Sequence, residues 1–142
     1  MNELVQCLRA LSEEVRLRII MLLTEGELCV CDIMEILDEP QSKVSRHLSY
    51  LKNSGLINSE RVGVWMHYSL AELKDEVSRA QLAFMKERFS QLRQFKDDME
   101  KAGVLKERKR CEGPRPHRRQ DRKPLAEWQR EQDARVGDSS NA

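Results

Sequence analysis

Residues Leu28 to Lys52 read LCVCDIMEILDEPQSKVSRHLSYLK, and the reading of this stretch decides the fold. In its second half, from about Ser42 to Asn53, Val44, Leu48 and Leu51 recur at i, i+4 and i+7, the buried stripe of an amphipathic helix. Ser42, Lys43, Ser45, Arg46, His47, Ser49 and Tyr50 fill the other faces. The first half predicts a shorter helix over Val30 to Leu37, with Ile33, Ile36 and Leu37 turned inward. Asp38-Glu39-Pro40 makes the turn between them, because Pro40 cannot extend the helix before it and sets up the one after it. Two helices joined by a tight turn, the second polar and basic outside, are a helix-turn-helix whose second helix suits the DNA major groove. Cys29 and Cys31 stand at the head of the first of these helices.

Upstream, residues 2–10 predict a short helix with Leu4, Val5, Leu8 and Leu11 along one side. Ser12 is placed as the N-cap of a second helix. Glu13 and Glu14 follow where the helix dipole favours anions, and Gly26 stops it after about Thr24. Downstream the period changes from helical to alternating. Leu56 to Arg61 and Trp65 to Leu70 predict two strands joined by Val62-Gly63-Val64, a β-hairpin wing with Arg61 near its tip. From Glu72 to about Lys101 helical spacing returns in two stripes. One is Leu73, Val77, Ala80 and Phe84; the other is Met85, Phe89, Leu92, Phe95 and Met99. That is more apolar surface than one small domain buries, which predicts a second subunit. The expected fold is mainly α with a small β-hairpin, a winged helix-turn-helix, dimeric through the first and last helices. Residues 1–102 form the DNA-binding and dimerisation domain. Residues 103–142 read as a charged, disordered tail, in which Leu125 to Gln132 has the composition to become helical on a partner.

The formal net charge of the 142-residue chain is only +1, so its distribution carries the information. Residues 1–103 hold 14 Lys and Arg against 17 Asp and Glu, and the rest hold 11 basic and seven acidic residues. Within the acidic part, Gln41 to Asn53 contains Lys43, Arg46 and Lys52 and no acid, an electrostatic footprint for DNA. Ser42, Ser45, Arg46 and Tyr50 are the candidates for base edges, and Lys43, Lys52 and Arg61 for phosphate or minor-groove contacts. His47 reads as a phosphate or base contact, or as packing; His67 reads as structural, and His117 has no paired ligand nearby. No apolar run is long enough to span a bilayer, and the first residues have no signal-peptide layout. The expected compartment is the cytoplasm, where thiols stay reduced. No phosphate loop or nucleophile–base signature is present, so enzymatic chemistry is not expected.

Thiolates select soft centres such as trivalent arsenic or antimony, and sulfur near a helix N-terminus favours the ligating form. Taken alone, Cys29 and Cys31 read equally well as small buried hydrophobes. A regular helix turns the second cysteine about 200° from the first. On that geometry both bind one ion only if the first turn unwinds, which predicts a distortion passed through Asp38–Gln41 to the next helix.

ELCVCDI (Glu27–Ile33), QSKVSRHLSYLKNSGLI (Gln41–Ile57) and GVWMHYSL (Gly63–Leu70) resemble the ArsR/SmtB family of bacterial winged-helix repressors. The resemblance covers residues 1 to about 100. It implies a homodimer on double-stranded operator DNA that leaves when a metal or metalloid binds. It also makes Cys29 and Cys31 the inducer ligands, with no obligatory cofactor. Arsenic-responsive members often read C-x-C-x-x-C, and here the third position is Met34. Cadmium/lead-responsive relatives recruit an N-terminal cysteine, which makes Cys7 a candidate third ligand. Cys111, beside Lys109 and Arg110, is another. Either would reach the pair across the dimer. Each also reads as inert, Cys7 as core and Cys111 as exposed, and a water or small thiol is a further completion. The family's zinc site on the last helix needs histidine, and residues 72–101 contain none. The inducer implied is As(III) or Sb(III), with Cd(II) or Pb(II) as the runner-up. A thiol-redox or metal-insensitive regulator is the reading from other classes.

Overall fold

A computed structural model describes residues 2–108. Six helices and three strands follow in the order α1 (Asn2–Leu11), α2 (Glu14–Leu23), β1 (Leu28–Cys29), α3 (Val30–Leu37), α4 (Gln41–Asn53), β2 (Ile57–Val62), β3 (Trp65–Leu70), α5 (Glu76–Phe89) and α6 (Arg93–Arg108). The expected winged helix-turn-helix is present. Its core gathers Ile19, Ile20 and Leu22 of α2, Ile33 and Ile36 of α3, Val44, Leu48 and Leu51 of α4, and Met66 and Tyr68 of β3. The stripe Val44, Leu48 and Leu51 lies in this core, as its spacing requires.

The turn between α3 and α4 is the three residues expected. Asp38 closes α3 in the left-handed region (φ 53°, ψ 48°), and its N–H bonds to the Met34 carbonyl. Aspartate is among the few residues with a side chain that visit this region readily. Pro40 (φ −68°) then caps α4, where its missing N–H costs nothing. The wing closes through a two-residue turn, Gly63-Val64, since Val62 already pairs with Trp65. Gly63 takes φ 64°, which tight hairpins demand at that position.

Four expectations are corrected. Ser12 does not cap α2. Its Oγ bonds back to the Arg9 carbonyl at 2.7 Å, and Glu13 is the cap, its Oε2 accepting the Arg16 N–H at 2.9 Å. The sheet has a third strand, β1, paired antiparallel to β3 with Leu28 opposite Tyr68 and Cys29 opposite His67. The helical region after the wing is two helices rather than one, broken at residues 90–92. The second continues past Gly103, burying Ala102 and Leu105. Tertiary contact thus overrides the weak helix propensity of glycine. Helical structure, expected to end at about Lys101, runs to Arg108, and the tail residues past it, with Cys111 and His117, lie outside the described residues.

Helix α6 is locked to α2 by one buried ion pair. Asp98, 1% exposed, accepts from Arg18 Nε at 2.9 Å and Nη2 at 2.8 Å, and from Gln94 Nε2 at 3.1 Å. Beside it, Met21, Met85 and Phe95 make a second small cluster, with Phe89 stacked on Phe95. Val5 and Leu8 of α1, Val77 and Phe84 of α5, and Leu92 and Val104 remain exposed. No described helix is long and apolar enough to cross a membrane.

Candidate functional site

Strand β1 brings the two cysteines together. Cys29 is the last strand residue and the N-cap of α3, in extended backbone (φ −72°, ψ 147°), while Cys31 lies in the first turn of the helix. Their Sγ atoms are 2.6 Å apart, and neither is in a disulfide. The expected divergence by 200° is therefore corrected. That angle holds for two residues inside a helix, and Cys29 is outside it. Both thiols can bind one soft centre without unwinding α3.

Around the pair, Asp32 Oδ1 lies 3.9 Å from Cys31 Sγ. Tyr68 stands in the core nearby, its hydroxyl pushed up to about 12 by burial and by Cys29. His67, opposite Cys29 in the ladder, holds Glu27 Oε1 at 3.0 Å through Nδ1. Among the described residues, no group of three or more His, Cys, Asp or Glu side chains is arranged to hold a metal ion. Within one chain, Cys7 is not brought to the pair. It is buried, its thiol raised by desolvation and then by Asp75, and it lines a cleft with Leu11, Ile20, Leu56, Leu70 and Leu73. Met34 packs against the core instead of joining the thiols.

The second half of the site is the outer face of α4. Ser42, Arg46, Ser49 and Tyr50 are exposed, with Ser45 half-buried between them. Ser49 extends the expected set. Its 42-46-49 spacing with Ser42 and Arg46 was the available signal. Lys43 Nζ pairs with Glu39 at 2.9 Å. Lys52 Nζ donates to Ser59 Oγ of the wing at 2.8 Å, and burial lowers its ammonium below the usual range. Arg61 Nε donates to the Gly63 carbonyl at 2.8 Å, at the wing turn.

Of the two readings of His47, contact with DNA or packing, its burial fits packing. It is 7% exposed and turned towards α2, with Nδ1 3.6 Å from Glu13 Oε2 and 3.4 Å from Arg16 Nη1. Burial lowers its imidazole below the ordinary 6.5, against a smaller opposing pull from Glu13. Glu13 would be raised by its own burial. The Arg16 and Val15 N–H groups, with the His47 and Arg16 charges, bring it below the usual carboxylate range instead.

Fold and site together define a winged helix-turn-helix protein with a thiol pair at the head of the helix before its outward-facing one. Residues 13–59 match the bacterial regulatory protein, arsR family. The chain is 48% identical over 68 residues to an arsenical resistance operon repressor of Escherichia coli, covering 47% of this chain and 58% of that one. It is 37% identical over 65 residues to an HTH-type transcriptional regulator of Methanocaldococcus jannaschii, covering 45% of this chain and 73% of the relative. It is 38% identical over 69 residues to a cadmium resistance regulatory protein CadC homologue of Staphylococcus aureus, covering 48% and 57%. The matches to the arsenic-resistance regulators span 49–63% of their length. Among solved structures it resembles HlyU of Vibrio cholerae (TM-score 0.57, 28% identity, 63% of this chain and 95% of that one). It also resembles a homodimeric winged helix-turn-helix DNA-binding domain from Mycobacterium bovis (TM-score 0.53, 25% identity, 65% and 86%). The chain belongs to the ArsR family.

Proposed function

We propose that this protein is a repressor that binds operator DNA as a homodimer and releases it when trivalent arsenic or antimony binds Cys29 and Cys31. The observation that carries the reading is the convergence of the two sulfurs at the start of α3, three residues of turn away from α4 at its far end. The inducer ties the two sulfurs to one centre, the start of α3 adjusts, and the short Asp38–Pro40 turn passes the change to α4. The arsenical-resistance relatives support the metalloid, and the acid-free face of α4 supports the DNA. A homodimer fits the exposed apolar residues on α1 and α5, since such patches mark interaction surfaces. With half-sites about 34–36 Å apart, two copies of α4 would read an inverted repeat. The likeness to CadC-type regulators supports a second reading in which cadmium or lead is the inducer.

Cys7→Ser separates the two readings. In fluorescence anisotropy with duplex DNA from upstream of this gene, arsenite releases the variant as it releases the wild type. A cadmium response that Cys7→Ser abolishes, with no arsenite response in either protein, replaces the first reading by the second. Arg46→Ala checks the DNA half. It lowers affinity and reduces the salt slope by about one if Arg46 meets a phosphate.

A further inference from the structure

We propose that Arg16, in the first turn of α2, is the positioning residue that holds Tyr50 of α4 in its DNA-reading orientation. This rests on the DNA-binding reading above. Arg16 lies outside the helix-turn-helix pair, and nothing in the acid-free face of α4 points to it. Its guanidinium nevertheless joins three helices. Nε donates to the Ala10 carbonyl at 2.8 Å and Nη2 to the Arg9 carbonyl at 3.2 Å, both in the last turn of α1. A helix end leaves such carbonyls without an intrahelical partner, and here one planar fork takes that of Ala10 and shares that of Arg9 with Ser12. The fork fixes the plane of the guanidinium, and its Cζ sits 4.1 Å from the centroid of the Tyr50 ring. Nη1 reaches His47 Nδ1, one turn back along α4, at 3.4 Å.

Tyr50 is 42% exposed on the outer face of α4, and without a neighbour its ring would be free to rotate. A cation stacked on one face leaves the other face and the hydroxyl edge for a base. The ordering cost is then met before DNA arrives. Lysine cannot replace this arrangement, because a point charge on a flexible stem cannot take both carbonyls and stack as well. The same group also ties α4 to α1, where Val5 and Leu8 stand exposed. The orientation of the reading side chain is thereby referred to the helix proposed to meet the second subunit.

The test is a double-mutant cycle of Arg16→Lys and Tyr50→Leu by anisotropy, on the upstream duplex and on a scrambled duplex, over a salt series. Arg16→Lys is expected to lose about tenfold on the upstream duplex, the low end of a lost specificity contact. Binding to the scrambled duplex and the salt slope stay as in the wild type. The double variant is no weaker than Tyr50→Leu alone, since the two side chains act as a unit. Equal losses on both duplexes make Arg16 a stabiliser of the fold and overturn the proposal. So does a salt slope smaller by about one, which marks a direct phosphate contact. Additive losses overturn it too. Wild-type protein that fails to prefer the upstream duplex refutes the DNA-binding reading itself, and is told apart because it appears before any variant is compared.

Discussion

Replacing Asp98 by alanine breaks the buried ion pair that links α2 to α6, and its cost follows from the geometry. The carboxylate is 1% exposed and accepts three side-chain hydrogen bonds, two from Arg18 and one from Gln94. Asp98→Ala removes all three and leaves the Arg18 guanidinium, 12% exposed, without its counter-charge. Breaking a buried pair by deleting one partner costs about 3–5 kcal/mol, and the partial exposure of Arg18 puts this case at the lower end, about 3 kcal/mol. With a urea m-value of about 1.5 kcal/mol per molar, the unfolding midpoint falls by about 2 M. Protomer concentration must be held fixed, since association adds to apparent stability. Arg18→Met with Asp98→Leu together should cost less than either single loss, because no charge is stranded. A midpoint shift under about 0.5 M for Asp98→Ala would refute the reasoning and show that α6 is held by apolar packing alone.

His47 makes stability depend on pH. Its folded value lies below the unfolded 6.5, so protons bind the unfolded chain more readily. Stability is complete above 6.5 and falls as pH drops through the folded value. Charging His47 also sets it against Arg16, Arg46 and Lys43, with only Glu13 opposing. His47→Gln should flatten the fall seen in urea midpoints between pH 7 and 5, and an unchanged slope would count against this. Phe84→Glu alters a side chain 56% exposed in the single chain. It should leave the helical circular dichroism intact while sedimentation equilibrium shows a monomer. A dimer of wild-type affinity would remove α5 from the subunit contact.

The helix-turn-helix was legible because its signals agree. Val44, Leu48 and Leu51 give the period, Pro40 the break, and the lack of acids from Gln41 to Asn53 the outer face. The break between α5 and α6 was written as two apolar stripes out of phase, though no proline or glycine marks it. Gly103 misled, because a glycine inside a helix reads as an end until Ala102 and Leu105 are seen buried on either side. The convergence of Cys29 and Cys31 was not legible. A two-residue strand has no period, and only the pairing of Leu28 and Cys29 with β3 holds Cys29 out of the helix. His47 looked like part of a basic face. It sits one residue before Leu48 and three after Val44, close enough to the apolar stripe to turn inward, where Glu13 and Arg16 meet it.

The most direct measurement is arsenite-driven release of the upstream duplex, followed by anisotropy, for the wild type and for Cys29→Ser with Cys31→Ser. Wild-type protein should leave the DNA as arsenite rises, while the double variant binds with wild-type affinity and stays bound. Release of the double variant at the same arsenite concentration, or wild-type binding that arsenite does not disturb, would contradict the assignment of the thiol pair as the sensor.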